Sequence, residues 1–167
     1  MKRGPINWTG IQVDQRELVA AISHLQLAPD QILKALRRGM YRTINPVRDA
    51  IRQGWQKQTY RRAGEKRLHR RALVSSVRAR VKGQGYTISG WAGVARRGAL
   101  KKYTRIVNVL EGGFTNRKAG RYVPGRFVIM RARPVAEQQA ALLKGHVIAA
   151  AQKIIAPKGT RARNKAA

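Results

Sequence analysis

The chain has 167 residues and a formal net charge of +29, from 36 Lys and Arg against 7 Asp and Glu, while 43% of its residues are hydrophobic. That balance excludes a disordered basic tail, predicts one folded domain, and calls for a polyanion or acidic protein surfaces to relieve the self-repulsion. With no cysteine it has no disulfide, thiolate or Cys-ligated metal chemistry, and no run of about 18 apolar residues reads as a membrane span.

Residues 1–13 read as an N-terminal arm; the opening MKRGPINWTGIQVDQ lacks the apolar stretch of a secretory signal. Asp14 and Glu17 match an N-cap and its capping-box partner, with Leu18, Ile22 and Leu25 at helical spacing behind them, which predicts a helix over 15–26. Pro29 and Asp30 open a second helix, since proline costs nothing in a first turn. Leu33, Leu36, Met40, Ile44, Val47, Ile51 and Trp55 then form one apolar stripe along a long helix, with a kink expected at Pro46.

After a basic connector over 60–72, the period changes to two. Val77, Ala79 and Val81 alternate with Arg78, Arg80 and Lys82, Gly83-Gln84-Gly85 reads as a turn, and the return strand starts at Tyr86. The hairpin therefore has one apolar and one cationic face. Residues 95–102 form a charged loop. Tyr103, Ile106, Val107 and Leu110 space as a short helix stopped by Gly112-Gly113. A glycine-rich basic loop is expected over 115–125, then a strand over 126–130 closed by Arg133-Pro134, then a final helix from Val135 to Ile155 presenting Leu142, Leu143, Val147, Ala150 and Ile154. The expected fold is α+β: a long N-terminal helix and a C-terminal helix on a small antiparallel sheet, built from the hairpin and a later strand. Residues 14–156 form the domain, and 157–167 a disordered basic tail.

Catalysis finds little support. The seven acids are scattered, and Asp14, Glu17 and Asp30 suit helix starts. His24, His69 and His146 do not pair at metal-ligand spacing, so His146 reads as a core histidine. No glycine-rich cradle marks a nucleotide site, and no cofactor is expected. Trp8, Trp55 and Trp91 read as core or interface anchors. The positive charge concentrates on the hairpin face, Arg78, Arg80 and Lys82, and on two loops, Arg96, Arg97, Lys101 and Lys102, then Arg117, Lys118 and Arg121. That distribution suits phosphate neutralisation without base reading, or acidic protein partners.

Four ordered segments carry a resemblance: Pro46-Val47-Arg48-Asp49-Ala50, Leu73-Val74-Ser75-Ser76-Val77, Tyr103 through Glu111-Gly112, and Ala132-Arg133-Pro134. The chain resembles the neck, or tail-completion, proteins of long-tailed bacteriophages, the group of the lambda minor tail protein Z. Where that family has Thr-Gly before the leucine, this chain has Arg71-Ala72, and Val135 replaces the Phe after the Ala-Arg-Pro. The resemblance implies a structural virion protein at the head–tail junction, made in the host bacterial cytoplasm. It further implies a hexameric ring that joins connector or stopper to tail tube or terminator, around exiting double-stranded DNA. Composition alone fits a second reading, a ribosomal or ribonucleoprotein component.

Glu111 stands apart as the one carboxylate between Glu65 and Glu137. At a helix C-terminus the macrodipole disfavours it, so a cationic partner is expected from this chain or a ring neighbour, with Arg133 one candidate.

Overall fold

The computed structural model describes residues 10–57, 73–84, 87–94, 107, 110–116, 118 and 120–156. Strand β1 (Gly10–Asp14) leads into α1 (Gln15–Ile22), whose N-cap Asp14 accepts a hydrogen bond from the Arg16 amide at 2.8 Å. A 3-10 turn (Ser23–Leu25) ends at Gln26 in the left-handed region, φ 50°. The long helix α2 (Pro29–Lys57) follows. Strands β2 (Val77–Gln84) and β3 (Thr87–Val94) pair antiparallel, and β4 (Phe114–Asn116) pairs with β5 (Arg121–Val123). Helices α3 (Val128–Arg131), α4 (Arg133–Ala141) and α5 (Leu143–Ile155) complete the described chain.

Helix α2 is the central beam. Leu36, Met40, Ile44, Val47, Ile51 and Trp55 are all buried, as their spacing predicts, and Trp55 is fully enclosed. Leu33, the first residue of the expected stripe, lies outside it and is exposed. The helix runs unbroken through Pro46, which sits on the exposed side. There the carbonyl deprived of its amide partner can turn to water. One flank of α2 packs on β2 and β3, another on α4 and α5. Val77, Ile88, Ala92 and Val94 close the sheet side of the core, and Leu143, Val147 and Ala151 close the helical side.

The fold class is α+β, but the sheet is assembled differently from the expectation. Its order is β1-β3-β2, so the third strand comes from the expected N-terminal arm. Gly10 pairs with Trp91 and Asp14 with Thr87. Of the segment expected as a later strand over 126–130, Arg126 and Phe127 lead into α3 and Val128, Ile129 and Met130 lie within it. The expected loop over 115–125 contains most of the small β4–β5 hairpin. Gly83 and Gln84, expected in a turn, extend β2.

The expected final helix is two helices. At their junction the Leu142 amide bonds to the Gln139 carbonyl at 3.2 Å, a tightened three-residue step. That step resets the helical phase, so Leu143 points inward while Leu142, expected inside, is exposed. Pro134 lies in the first turn of α4, where its missing amide is harmless.

Candidate functional site

Strand alternation sorts β2 cleanly. Val77, Ala79 and Val81 face the core, and Arg78, Arg80 and Lys82 are exposed on the outer face. Their cross-strand partners on β3 are Gly93, Trp91 and Ser89, and the next strand places Gly10 and Gln12 beside Trp91 and Ser89. Alternate residues on a strand are about 7 Å apart, comparable to the step between successive phosphates of one nucleic-acid strand. Among the described residues the one acid on this face is Asp14 at its end, opposite Thr87, and its carboxylate is engaged with the Arg16 amide.

The placement of β2 is fixed from α2. Arg52 Nη2 donates to the Val77 carbonyl at 2.9 Å, at the first residue of the cationic strand. Arg48 grips Asp49 with two hydrogen bonds, 2.8 and 3.0 Å, which hold the Asp49 carboxyl below the usual carboxylate range. The Arg52 guanidinium, partly buried beside Arg48, is pushed below its ordinary value chiefly by that burial. The Pro-Val-Arg segment therefore lies where α2 meets the base of the sheet. Before β2, Leu73 and Ser76 are buried in a helical turn over 73–76, and the Ser76 hydroxyl donates to the Leu73 carbonyl at 2.6 Å.

Tyr103, Arg96, Arg97, Lys101, Lys102 and Arg117 lie outside the described residues. Lys118 and Arg121 are exposed at the β4–β5 hairpin. The strands of that hairpin make their principal contacts with each other, so Arg121 does not join the cationic sheet face. Trp91, opposite Arg80, was missed as a member of that face, because its register depends on β2 running on through Gly83 and Gln84, where the sequence suggests a turn.

Glu111 overturns the expected pairing with Arg133. Arg133 reaches Glu137, 3.0 Å away on the exposed side of α4. Glu111 is only 3% exposed, and its Oε1 accepts the amides of Ile129 at 2.6 Å and Met130 at 3.0 Å. It is thus the N-terminal cap of α3, delivered from a distant part of the chain because Phe127, the local N-cap, has no side-chain oxygen. Burial pushes the Glu111 carboxyl up, and the amides of Met130, Ile129 and Val128, with Arg131, pull against that rise. The main chain doubles the link, since Arg126 and Phe127 donate amides to the Leu110 and Glu111 carbonyls at 2.7 and 3.4 Å.

Gly112 and Gly113 end the preceding helix as predicted. Gly113 has φ +77°, and a Cβ there would sit 2.7 Å from the Gly125 nitrogen, so glycine is needed for both conformation and space. The Gly112 carbonyl accepts the Tyr122 hydroxyl at 3.2 Å.

His146 behaves as a structural histidine. Its Nδ1 lies 2.9 Å from Thr43 Oγ1, and the same hydroxyl is 3.1 Å from the Gly39 carbonyl. The hydroxyl has one proton; given to Gly39, it must accept from His146 Nδ1–H. Among the described residues no group of three or more His, Asp or Glu could hold a metal ion, and no helix is long and apolar enough to cross a membrane. No family model matches the chain, and no curated protein or solved structure matches it either.

Proposed function

We propose that this chain is a structural subunit of the bacteriophage neck. In this reading it forms a ring, expected to be hexameric, between the head connector or stopper and the tail tube or terminator. The outer sheet face is turned toward the double-stranded DNA that passes through. The observation that carries the reading is that face: Arg78, Arg80 and Lys82 stand in a row, exposed, with Asp14 occupied at the far end. Such a surface neutralises phosphates and reads no bases, as a conduit for any sequence requires. The order of the motif segments supports the same reading. Pro46 lies in the long helix, Leu73 and Ser76 precede the cationic strand, Glu111-Gly112 end a helix, and Arg133-Pro134 open the last helical pair.

Charge reversal tests the face. Arg78→Glu, Arg80→Glu and Lys82→Glu together are expected to weaken binding to a 30-base-pair duplex and to lower the slope of log K against log salt by about 2 to 3. The matched reversal of Arg37, Arg38 and Lys153, which are exposed on α2 and α5, should change that slope much less. Equal losses in the two triples would remove the sheet face from the reading. Mass photometry of the purified chain then separates the wider alternatives. A closed ring free of RNA supports the neck role, and a monomer recovered only on RNA replaces it with a ribonucleoprotein role.

A further inference from the structure

We infer that the Glu111-held turn is a protein-docking knuckle, distinct from the cationic sheet face, and that it fits a partner surface with an apolar recess rimmed by carboxylates. Three large side chains stand exposed there: Tyr122 at 62%, Phe127 at 41% and Met130 at 61%. All are fastened to two consecutive residues. The Tyr122 hydroxyl bonds to the Gly112 carbonyl, the Phe127 amide to the Glu111 carbonyl, and the Met130 amide to the Glu111 carboxylate.

The local construction is costly. Phe127 is a bulky residue held at φ 50°, a left-handed conformation that is strained outside glycine. Glu111 is a buried carboxylate whose Oε2 has no hydrogen-bond partner among the described residues. Burying Phe127 and Met130 would offset such costs, yet both remain exposed, Met130 the more so. Strain and burial here fix the display of apolar groups rather than cover them.

Charge identifies the partner's chemistry. Lys118, Arg121 and Arg131 are exposed in this part of the chain, Arg126 is half-buried, Arg133 is already paired with Glu137, and no carboxylate falls between Gly112 and Ala136. A second copy would bring the same cations against these, whereas an acidic rim complements them. Aromatic residues, Met and Arg are the types enriched in protein–protein interfaces. A phosphate backbone makes no use of the apolar groups, so this surface and the sheet face divide the positive charge between a protein and a polyanion.

The test selects from a random 12-residue peptide library displayed on beads, using the purified full-length chain as bait. Enriched peptides are then measured by fluorescence anisotropy. Expected are sequences that join Asp or Glu to Leu, Phe or Trp. Their binding should fall at least about tenfold in the double variant Phe127→Asn, Met130→Ser, in which asparagine tolerates the left-handed backbone and no charge changes. The variant Arg78→Gln, Arg80→Gln, Lys82→Gln should leave the same peptides within about twofold. Enrichment of acidic peptides without apolar residues would overturn the proposal, as would insensitivity to the double variant or loss in the sheet variant. Sedimentation velocity closes the remaining route. Self-association that the double variant abolishes would assign the knuckle to a second copy and also overturn it. None of these outcomes depends on the neck reading, which stands or falls on ring formation and DNA binding.

Discussion

Glu111→Ala is expected to lower the unfolding free energy by about 2–4 kcal/mol, because the change strands the Ile129 and Met130 amides at a buried helix start. Phe127 would lose the cap that follows it, so hydrogen exchange at Ile129 and Met130 should accelerate more than at Ile44 or Val47 in the core. Urea denaturation gives the first number and exchange the second; a loss below about 0.5 kcal/mol would show that α3 holds without its distant cap. Glu111→Gln adds a sign. The Glu111 carboxyl is raised by burial, so its contribution to stability is fully present below the unfolded carboxylate value and is lost as pH rises through the folded one. The neutral Gln variant carries no such loss. Its stability relative to wild type should therefore increase as pH rises above the ordinary carboxylate range, and a difference that stays flat would contradict a raised carboxyl.

Gly39→Ala is expected to cost about 1–3 kcal/mol, although alanine is the better helix former by roughly 0.5–1 kcal/mol. The added Cβ would lie 2.7 Å from Val147 Cα and 2.9 Å from its nitrogen, so the neighbour is backbone and cannot rotate away. Helices α2 and α5 would have to separate, stretching the Thr43–His146 hydrogen bond at the same crossing. Gly145→Ala provides the contrast on α5, because nothing lies within 4 Å of its added Cβ and the propensity gain should appear as stabilisation. Thermal unfolding of the two variants should move in opposite directions. Movement in the same direction would mean that the helix crossing is looser than this geometry requires.

The elements with strong local periods were legible in the sequence. The α2 stripe, the α1 cap and the alternating face of β2 each follow from spacing within one element, and the cationic row follows from the same alternation. What escaped was specified from elsewhere. RFVIM reads as a strand by residue type, yet Glu111 caps it into a helical turn across a separation no local window spans. The Glu111–Arg133 pairing failed for a related reason: a buried carboxylate can be satisfied by backbone amides as well as by a cation, and charge counting sees only the cation. The split between α4 and α5 has no proline or glycine at Leu142 to announce it, and the hydrophobic run continues through the break. Tyr122, Phe127 and Met130 were likewise invisible as a group, because the turn that displays them exists only once Glu111 is in place.

The position of β1 has a consequence for how the chain is made. Its partner is β3, so Gly10–Asp14 leaves the ribosome long before the strand that receives it. The β2–β3 hairpin is local and forms fast, and α2 waits above its inner face, but β1 must close a loop that contains nearly half the chain. During synthesis one edge of β3 is therefore open, and any extended segment nearby competes for it. An N-terminal tag or truncation that delays β1 should act on folding yield far more than on the stability of molecules that have already folded.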